Sequence, residues 1–489
     1  MEKPPFKNLL FTVYETSDLP RMLAVAKFHK QQGDNIYFFF PLLIPIPDNF
    51  QNEFVQHGIP IINQYSPEGA LLDISFQASE IAGKPVPLDM LFKDWKKYYN
   101  YKGNGRVKEA IYTKLAKYAG IYDEYLATFD YMAFNLQIYS KICRMLNLDL
   151  VIMPVIDSER IDSLLWRALE DCKFIKTLVL HAGVLFKNRI YEVYSQNPQH
   201  MPENRHNAKV WVFLPWRWKE DRWGHKFLRM PLPMLLAQEA IGVALPQPHM
   251  ANSNARNIVC ESLFVYNKLR DYGVNVELST DIIGACELDS VHDKLANLAQ
   301  RQDFLLTQGL DPAKKTFLFC APRTLQQLSP RFTSLDEASV FIIKILAADE
   351  RWQVLVSPHP SLEPASLEAL KGHGGLVINQ GAVKLLPYAD ICVSTGSAID
   401  TLALALGVPV VEYDLGSYRQ HRFRGVSGVL TVDDEDTFLK TVHTLQNDNF
   451  FVEEWMLKTY AYRDEFGVID GKACQRFFTV SRRVLEQTF

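Results

Sequence analysis

The sequence predicts an α/β protein of two doubly wound, Rossmann-like domains that face each other across a cleft. Short apolar strands alternate with helical segments in both halves of the chain, which is the pattern of parallel sheets covered by helices. A polar helical stretch at 290–309, followed by the breaker Gly309-Leu310-Asp311-Pro312, interrupts this alternation. We therefore predict an N-terminal domain at residues 1–300 and a C-terminal domain at 301–489, whose last helix could pack back on the N-terminal domain.

The composition predicts an ordered, cytoplasmic protein. With 48 % hydrophobic and 22 % charged residues the chain matches folded proteins, and its net charge of -4 does not supply the basic surface that nucleic-acid binding requires. The N-terminus lacks the apolar run of a secretory signal, and no apolar stretch is long enough to span a bilayer. The cysteines form no CxxC pair, so we expect reduced thiols; they are Cys143, Cys172, Cys260, Cys286, Cys320, Cys392 and Cys474.

The N-terminal domain begins with a strand, a helix and a second strand. Residues 9–13 form an apolar run, Pro20 opens a helical segment that Gly33 ends, and residues 35–40 form another buried strand. A further strand, helix and strand are predicted at 150–153, 158–172 and 177–181.

The C-terminal domain repeats this alternation. Its strands are predicted at 316–320, 354–356, 376–378, 391–393, 410–413 and 429–431, with a helix at 398–406 that Gly407 closes. Ligands of such open sheets bind beyond the carboxyl ends of the strands, so functional residues are expected directly after strands.

One candidate donor site follows strand 354–356. His359 stands between Pro358 and Pro360, so its backbone is stiff and its imidazole is expected in the cleft. A histidine there could contact a phosphate or ribose, because imidazole donates hydrogen bonds to anions. A turn histidine without a function is the alternative.

A second candidate follows strand 391–393, where the chain reads Ser394-Thr395-Gly396-Ser397 before the helix that carries Asp400. Small hydroxylated residues and a glycine in front of a helix can hold a phosphate on free N–H groups. Simple helix capping by Ser397 explains the same residues equally well.

In the N-terminal domain, His181 ends strand 177–181 and is followed by Ala182 and Gly183. We interpret it as a candidate general base that removes the proton of an attacking hydroxyl, with a structural histidine as the alternative. Glu15 follows the first strand and is a weaker candidate for acceptor contact, whereas Asp18 is expected to cap the following helix.

Two other clusters invite an interpretation. Asp434-Glu435-Asp436 could be a metal-binding Asp-x-Asp, but acidic residues that open a helix are a simpler explanation. Aromatic residues interleaved with basic ones suit a membrane interface or a sugar platform, and an ordinary protein contact is the alternative. That cluster comprises Trp211, Trp216, Trp218 and Trp223 with Arg217, Lys219, Arg222, Lys226 and Arg229.

Several of these motifs together resemble the CDP-glycerol glycerophosphotransferase and teichoic-acid polymerase family and related capsule glycosyltransferases that use cytidine-activated donors. The resemblance is patchy over the first 170 residues and nearly continuous from about residue 280. It rests on the strand and Ala321-Pro322 turn at 314–322, the turn 284–289, His359-Pro360, the serine-rich turn before Asp400, and Asp470-Gly471-Lys472-Ala473 with Arg476.

The resemblance implies a GT-B fold, a metal-independent transferase and a donor nucleotide linked through CMP or CDP. It places the donor on Pro322, Arg323, His359, Pro360, Ser394, Thr395, Gly396, Ser397 and Asp400, and makes His181 the base. The acceptor would be a cell-surface glycan, either free or lipid-linked at the inner face of the membrane. The family's tandem serine is Ser397-Ala398 here, so a cytidine-linked sugar such as a sialic-type or Kdo donor stays an alternative to glycerol phosphate.

Two other functions are compatible with the sequence. One is a nucleotide-sugar isomerase similar to UDP-GlcNAc 2-epimerase, whose chemistry needs acids and bases that flank one sugar carbon. The other is a GT-B chain without catalytic activity that serves as an assembly partner, since a fold does not certify an activity.

Overall fold

In the residues that the structure describes, strands alternate with helices. A computed structural model describes residues 6–13, 18–40, 46–63, 105–154, 163–170, 172, 175–181, 197–220, 224–228, 230–242, 257–271, 280–292, 298–322, 331–360, 362–416 and 422–487. The strands in these ranges are β1 (Asn8–Thr12), β2 (Asn35–Phe40), β3 (Ile61–Asn63), β4 (Leu150–Met153), β5 (Lys176–His181), β6 (Trp218–Glu220), β7 (Lys226–Leu228), β8 (Ile258–Cys260), β9 (Thr280–Ile282), β10 (Lys315–Ala321), β11 (Trp352–Pro358), β12 (Gly375–Val377), β13 (Ile391–Ser394), β14 (Val410–Tyr413) and β15 (Val429–Val432).

The α-helices of the described residues are α1 (Leu19–Gln31), α2 (Asp48–Gln56), α3 (Gly105–Ala119), α4 (Tyr122–Met145), α5 (Ser163–Glu170), α6 (Asn207–Val210), α7 (Leu232–Ile241), α8 (Leu263–Asp271), α9 (Leu298–Thr307), α10 (Leu335–Leu346), α11 (Pro364–Ala369), α12 (Ala382–Leu385), α13 (Ile399–Ala405), α14 (Glu435–Asn447), α15 (Asn449–Tyr462) and α16 (Ala473–Glu486). Short 3-10 helices cover Trp211–Phe213, Pro215–Arg217, Cys286–Val291, Leu386–Tyr388 and Arg463–Glu465.

The first sheet is parallel throughout and has the order β3-β2-β1-β4-β5-β8-β9. Helices cover both of its faces: α3, α4, α5 and α7 lie on one, and α1, α2 and α16 on the other. The aromatic run of β2 needs helices on both faces of the sheet, because alternate side chains point to opposite faces. Phe39 packs into the first of these helix layers, and Phe38 and Phe40 pack into the second. Buried parallel strands are apolar on both faces, as the sequence predicts here.

The second sheet is also parallel and has the order β12-β11-β10-β13-β14-β15. One face packs against α9, α12 and α13, and the other against α10, α14 and α15. Along the chain, β11 and β12 are added on one side of β10, and β13, β14 and β15 are then added on its other side. The strand order therefore reverses between β10 and β13, which is where ligands of such sheets bind.

The last helix, α16, returns to the first sheet. Phe477 is fully buried against that sheet, and Arg482 forms an ion pair of 2.6 Å with the buried Asp34 before β2. His29 of α1 completes this cluster, with Nδ1 2.8 Å from Asp34 and Nε2 3.3 Å from the Ser481 hydroxyl. A chain segment from beyond the second sheet is thus part of the core of the first.

The fold class predicted from the sequence is confirmed: the protein is α/β, with two doubly wound parallel sheets. The predicted strands at 9–13, 35–40, 150–153, 177–181 and 410–413 agree with β1, β2, β4, β5 and β14 to within one residue at either end. The sequence did not predict the helices α3, α4 and α7, which pack against one another on the first sheet. No helix of the described residues is both long and apolar enough to cross a membrane.

Candidate functional site

The carboxyl edges of the two sheets meet directly. Thr401, in the first turn of α13 after β13, has its hydroxyl 3.2 Å from the carboxylate of Glu261, which follows β8 of the first sheet. Nearby, the ring of Phe264 stacks on Phe423 and packs against Phe466, with centroid distances of 5.5 and 4.9 Å. Since ligands of both sheets are expected at these edges, the boundary between them is the candidate site.

Two predicted donor residues follow adjacent strands. His359 and Pro360 come directly after β11 and are half-buried, and the carbonyl of His359 accepts a hydrogen bond from the Leu362 N–H at 2.9 Å. Pro322 comes directly after β10, the neighbouring strand. Arg323 lies outside the described residues. The strand ends thus bring His359 and Pro322 to one edge of the second sheet.

The turn 394–397 follows β13, on the other side of β10. Ser394 is fully buried, whereas Thr395, Gly396 and Ser397 are half-buried and form the accessible part. Gly396 adopts φ +94°, which favours glycine because a Cβ would be strained there. Ser397 Oγ accepts the Ile399 N–H at 3.4 Å, a long contact that gives α13 only a weak cap.

Asp400, another predicted donor residue, lies behind this turn. Its side chain is fully buried; Oδ2 accepts the Ser394 hydroxyl at 2.8 Å and forms an ion pair with Arg422. The same guanidinium also pairs with Glu412 of β14. In this structure Asp400 therefore supports the turn from inside the domain and does not face the cleft.

His181 ends β5 and is 2 % exposed. Burial, with a smaller contribution from the positive charge of Arg21, lowers the pKa of its imidazole to about 3. The side chain is therefore neutral at cellular pH, and its Nε2 has no hydrogen-bond partner among the described residues. A neutral imidazole with a free nitrogen has the protonation state that a proton acceptor needs.

Two ionisable residues were not predicted from the sequence: Arg21, whose charge acts on His181, and Glu287, on which the same Arg21 acts. Glu287 is buried in the 3-10 helix Cys286–Val291, and burial raises the pKa of its carboxyl although Arg21 acts in the opposite direction. Arg21 Nε and Glu287 Oε2, like His181 Nε2, are buried atoms without a partner in the part of the chain that the structure describes. Native proteins keep few such atoms, and a catalytic or binding role is one explanation for them.

The predicted cap at Asp18 is wrong. Asp18 occupies the N-cap position of α1, but its side chain accepts no helix N–H. It forms instead an ion pair of 3.1 Å with Arg21, one turn along the same helix. A carboxylate forms a stronger hydrogen bond with a charged guanidinium than with a neutral backbone amide. Glu15, the other candidate in this loop, lies outside the described residues.

Two motifs of the family resemblance, the turn 284–289 and residues 470–476, contact each other although they are distant in the chain. Asp289 accepts the N–H groups of Ala473 and Cys474 at 3.0 and 2.7 Å, so it caps the last helix from across the fold. Arg476 donates to the carbonyl of Ile283 at 2.6 Å and forms a two-point ion pair with Asp470. These contacts give both motifs a structural role.

The tryptophan cluster is partly exposed. Trp211 is 42 % exposed, and the indole N–H of Trp218 donates to its carbonyl at 3.2 Å. Arg217, in contrast, is buried and pairs with Glu239 at 2.6 Å, so it does not contribute to a basic surface. Trp223 and the side chain of Trp216 lie outside what the structure describes.

Asp434 has the role of a helix cap. Its carboxylate accepts the Thr437 N–H at 2.7 Å at the start of α14, and Asp436 lies in the first turn of that helix. Among the described residues there is no group of three His, Cys, Asp or Glu side chains that could hold a metal ion.

No family model and no curated protein matches the sequence. Solved structures do match over nearly the whole chain. UDP-GlcNAc 2-epimerase from Neisseria meningitidis bound to UDP-GlcNAc is similar with a TM-score of 0.52 and 12 % identity, covering 97 % of this chain and 100 % of that one. The glycotransferase of kitacinnamycin has a TM-score of 0.51 and 14 % identity, with coverage of 99 % and 100 %.

The wall teichoic acid polymerase TagF soaked with CDPG is similar as well, with a TM-score of 0.51, 10 % identity and coverage of 98 % of this chain and 89 % of that one. At such identities a structural match shows the fold alone. The chain has the GT-B fold. This agrees with the two parallel sheets whose carboxyl edges meet.

Proposed function

We propose that this GT-B protein is a glycosyltransferase, or a glycerophosphotransferase-like enzyme, of cell-surface polysaccharide synthesis. It transfers a sugar or polyol phosphate from a CMP- or CDP-linked donor to a glycan acceptor. The observation that carries this proposal is the pairing of a phosphate-type turn at 394–397 and His359 on one sheet edge with the orphaned imidazole of His181 on the other.

The second sheet supplies the donor side. His359, Pro322 and the turn 394–397 follow three strands that lie side by side, at the point where the strand order reverses. The hydroxyls of Thr395 and Ser397 and the backbone N–H groups of the turn are suited to hydrogen-bond the donor phosphates. Such preorganised donors stabilise the charge of the departing nucleotide without requiring a metal ion.

The first sheet supplies the acceptor side. The acceptor hydroxyl attacks the carbon or phosphorus that is transferred, its proton passes to Nε2 of His181, and the bond from that atom to the nucleotide breaks. The electron pair of that bond leaves with CMP from a CMP-linked sugar or a CDP-linked polyol, and with CDP from a CDP-linked sugar. Burial lowers the pKa of His181 to about 3, so the imidazole is neutral before the reaction. Donor phosphates bound nearby would raise that pKa, because an anion favours the protonated imidazole.

A nucleotide-sugar 2-epimerase is the second candidate, since one matching structure is such an enzyme bound to UDP-GlcNAc. Epimerisation needs acids and bases on both sides of one sugar carbon. The acidic residue that follows the turn 394–397 is Asp400, the candidate for such an acid or base. It is fully buried behind the turn. This placement favours the transferase.

We also propose that the protein docks on the cytoplasmic face of a membrane that carries a lipid-linked acceptor. The exposed side chains of Trp211, Val212 and Phe213 follow one another in a 3-10 helix beside the exposed Lys209. Aromatic and basic side chains together suit a bilayer interface. Sedimentation with anionic vesicles should capture the protein, and a variant with Trp211, Val212 and Phe213 replaced by serine should stay in solution; equal behaviour of the two would reject this docking.

The deciding experiment is a thermal-shift panel with CMP, CDP, UDP and GDP. We expect the cytidine nucleotides to stabilise the protein most, and His359→Ala to reduce that stabilisation. Stabilisation by UDP alone would reject the cytidine donor, and release of free nucleotide from a UDP-sugar without any acceptor would favour the epimerase.

Transfer of the sugar or polyol phosphate should persist in EDTA. Complete loss of activity that magnesium or manganese restores would show that a metal is needed.

A further inference from the structure

A buried chain of polar groups lies directly behind the turn 394–397. It joins three segments that are distant in sequence: Ser394 at the end of β13, Asp400 in α13 and Arg422 beyond β14. Glu412 of β14 closes the chain by pairing with the same guanidinium, and Thr431 of β15 approaches Glu412 at 3.4 Å. All members but Thr431 are more than nine-tenths buried.

The first link sets the shape of the turn. Ser394 Oγ donates to Asp400 Oδ2 at 2.8 Å and accepts the Gly396 N–H at 3.3 Å. A hydroxyl carries one proton and two acceptor lone pairs, so Ser394 can serve both partners at once, and Asp400 sets the direction of its proton. The left-handed conformation of Gly396 is held by this amide contact, so the position of Asp400 is transmitted to the accessible part of the turn.

The second link explains why the residue at 422 is arginine. Its Nε serves Glu412 and its terminal nitrogen serves Asp400, so one planar group bridges two carboxylates from different elements. A lysine has a single nitrogen and lacks this fixed fork. Without Arg422, two buried carboxylates would lose their shared positive charge, which would destabilise Asp400 in its present position.

We propose that Arg422 is a positioning residue of the donor site, which holds Asp400 so that Ser394 presents the turn 394–397 in the conformation that binds the donor phosphate. This inference rests on the proposed function, because it assumes that the turn binds a nucleotide. Arg422 itself is 8 % exposed, and among its described contacts the path to the turn runs through Asp400 and Ser394.

The test compares Arg422→Gln with a matched control in the same domain. Arg301→Gln removes another ion pair, of 2.9 Å to Asp390, which stands at the amino end of the same strand β13. Both variants lose a guanidinium beside this strand, so both are expected to lower thermal stability. Only Arg422→Gln should accelerate amide hydrogen exchange in residues 394–397 and weaken CDP binding, by about tenfold or more, as measured by calorimetry.

A double variant shows whether Arg422 acts through Ser394. Ser394→Ala removes the hydroxyl that connects Asp400 to the turn, so adding Arg422→Gln to it should weaken CDP binding little further. Additive losses in the double variant would overturn the proposal. So would a loss of CDP affinity in Arg301→Gln equal to that in Arg422→Gln, because then general destabilisation explains the effect.

The exchange measurement separates this inference from the proposed function. If the unaltered protein binds no nucleotide but Arg422→Gln still accelerates exchange at 394–397 and Arg301→Gln does not, the proposed donor site is wrong and the control of the turn by Arg422 stands. If CDP binds and neither variant changes exchange at the turn, the proposed function stands and the positioning role is rejected.

Discussion

Thr401 and Glu261 join the two sheets at their carboxyl edges, with Thr401 Oγ1 3.2 Å from Glu261 Oε1. Both residues are buried, and each belongs to the segment that directly follows a strand of its own sheet. Thr401 also stands one residue after Asp400 on α13, the helix that follows the turn 394–397. The contact therefore connects the candidate donor site to the first sheet.

Replacement of Thr401 by valine keeps the shape of the side chain and removes its hydroxyl. We expect Thr401→Val to lower the free energy of unfolding by about 1.5 to 3 kcal/mol, the usual value of a hydrogen bond to a charged group. Urea denaturation measures this. Thr401 Oγ1 also lies 2.8 Å from the carbonyl of Ala398, at the start of its own helix. Thr444→Val is the control, because Thr444 is exposed and its hydroxyl has only the matching kind of bond, to a carbonyl of its own helix, among the described residues. A loss no larger than that of the control would mean that the Glu261 contact contributes nothing.

The buried imidazole of His181 makes stability depend on pH. Its pKa is about 3 in the folded protein and about 6.5 in an unfolded chain, so between these values only the unfolded state is protonated. Stability should fall as the pH is lowered from 6.5 towards 3, with this residue contributing up to about 1.4 kcal/mol per pH unit. Denaturation at several pH values should show a shallower slope for His181→Gln.

The matched control for that experiment is His443→Gln, at an exposed position of α14, which should leave the slope unchanged. An unaltered slope in His181→Gln as well would show that the imidazole is not buried as described.

The two candidate histidines, His181 and His359, should have different roles. We expect His359→Ala to weaken nucleotide binding by about 1.5 to 3 kcal/mol, the value of a charge-assisted hydrogen bond. His181→Ala should leave nucleotide affinity nearly intact and reduce turnover by roughly 10² to 10⁴, the contribution of a general base. Calorimetry with the nucleotide and single-turnover kinetics test both. Loss of nucleotide binding in His181→Ala but not in His359→Ala would reverse the roles. No effect in either variant would support a GT-B chain without catalytic activity.

The last helix should depend on Asp34. This carboxylate is fully buried. Burial acts to raise its pKa, but its hydrogen bonds to His29 and Arg482 together outweigh burial and lower the pKa. Asp34→Asn should cost roughly 3 to 5 kcal/mol, the penalty for breaking a buried pair, and accelerate hydrogen exchange in residues 473–487. Asp281→Asn breaks an exposed pair with Arg483 of the same helix and should change exchange little. Equal effects would reject a special role for Asp34.

Most strands could be predicted from the sequence because burial on both faces leaves an unmistakable apolar run, as in β2 and β10. The ends of these strands also predicted where His181, His359 and the turn 394–397 would lie, since parallel strands present their carboxyl ends at one edge. Local patterns failed where a side chain had a choice of partners. Asp18 had the sequence position of a cap but pairs with Arg21.

The sequence by itself determined the fold class, the alternation of strands and helices, and the strand ends that carry the candidate site, because each of these depends on neighbouring residues. Only the tertiary structure decided that Asp400 lies behind the turn, that Arg422 and Glu412 hold it there, and that Arg21 influences both His181 and Glu287. The physical reason is that crossover connections bring together residues up to hundreds of positions apart, and a buried charge takes whichever partner the packed core places beside it.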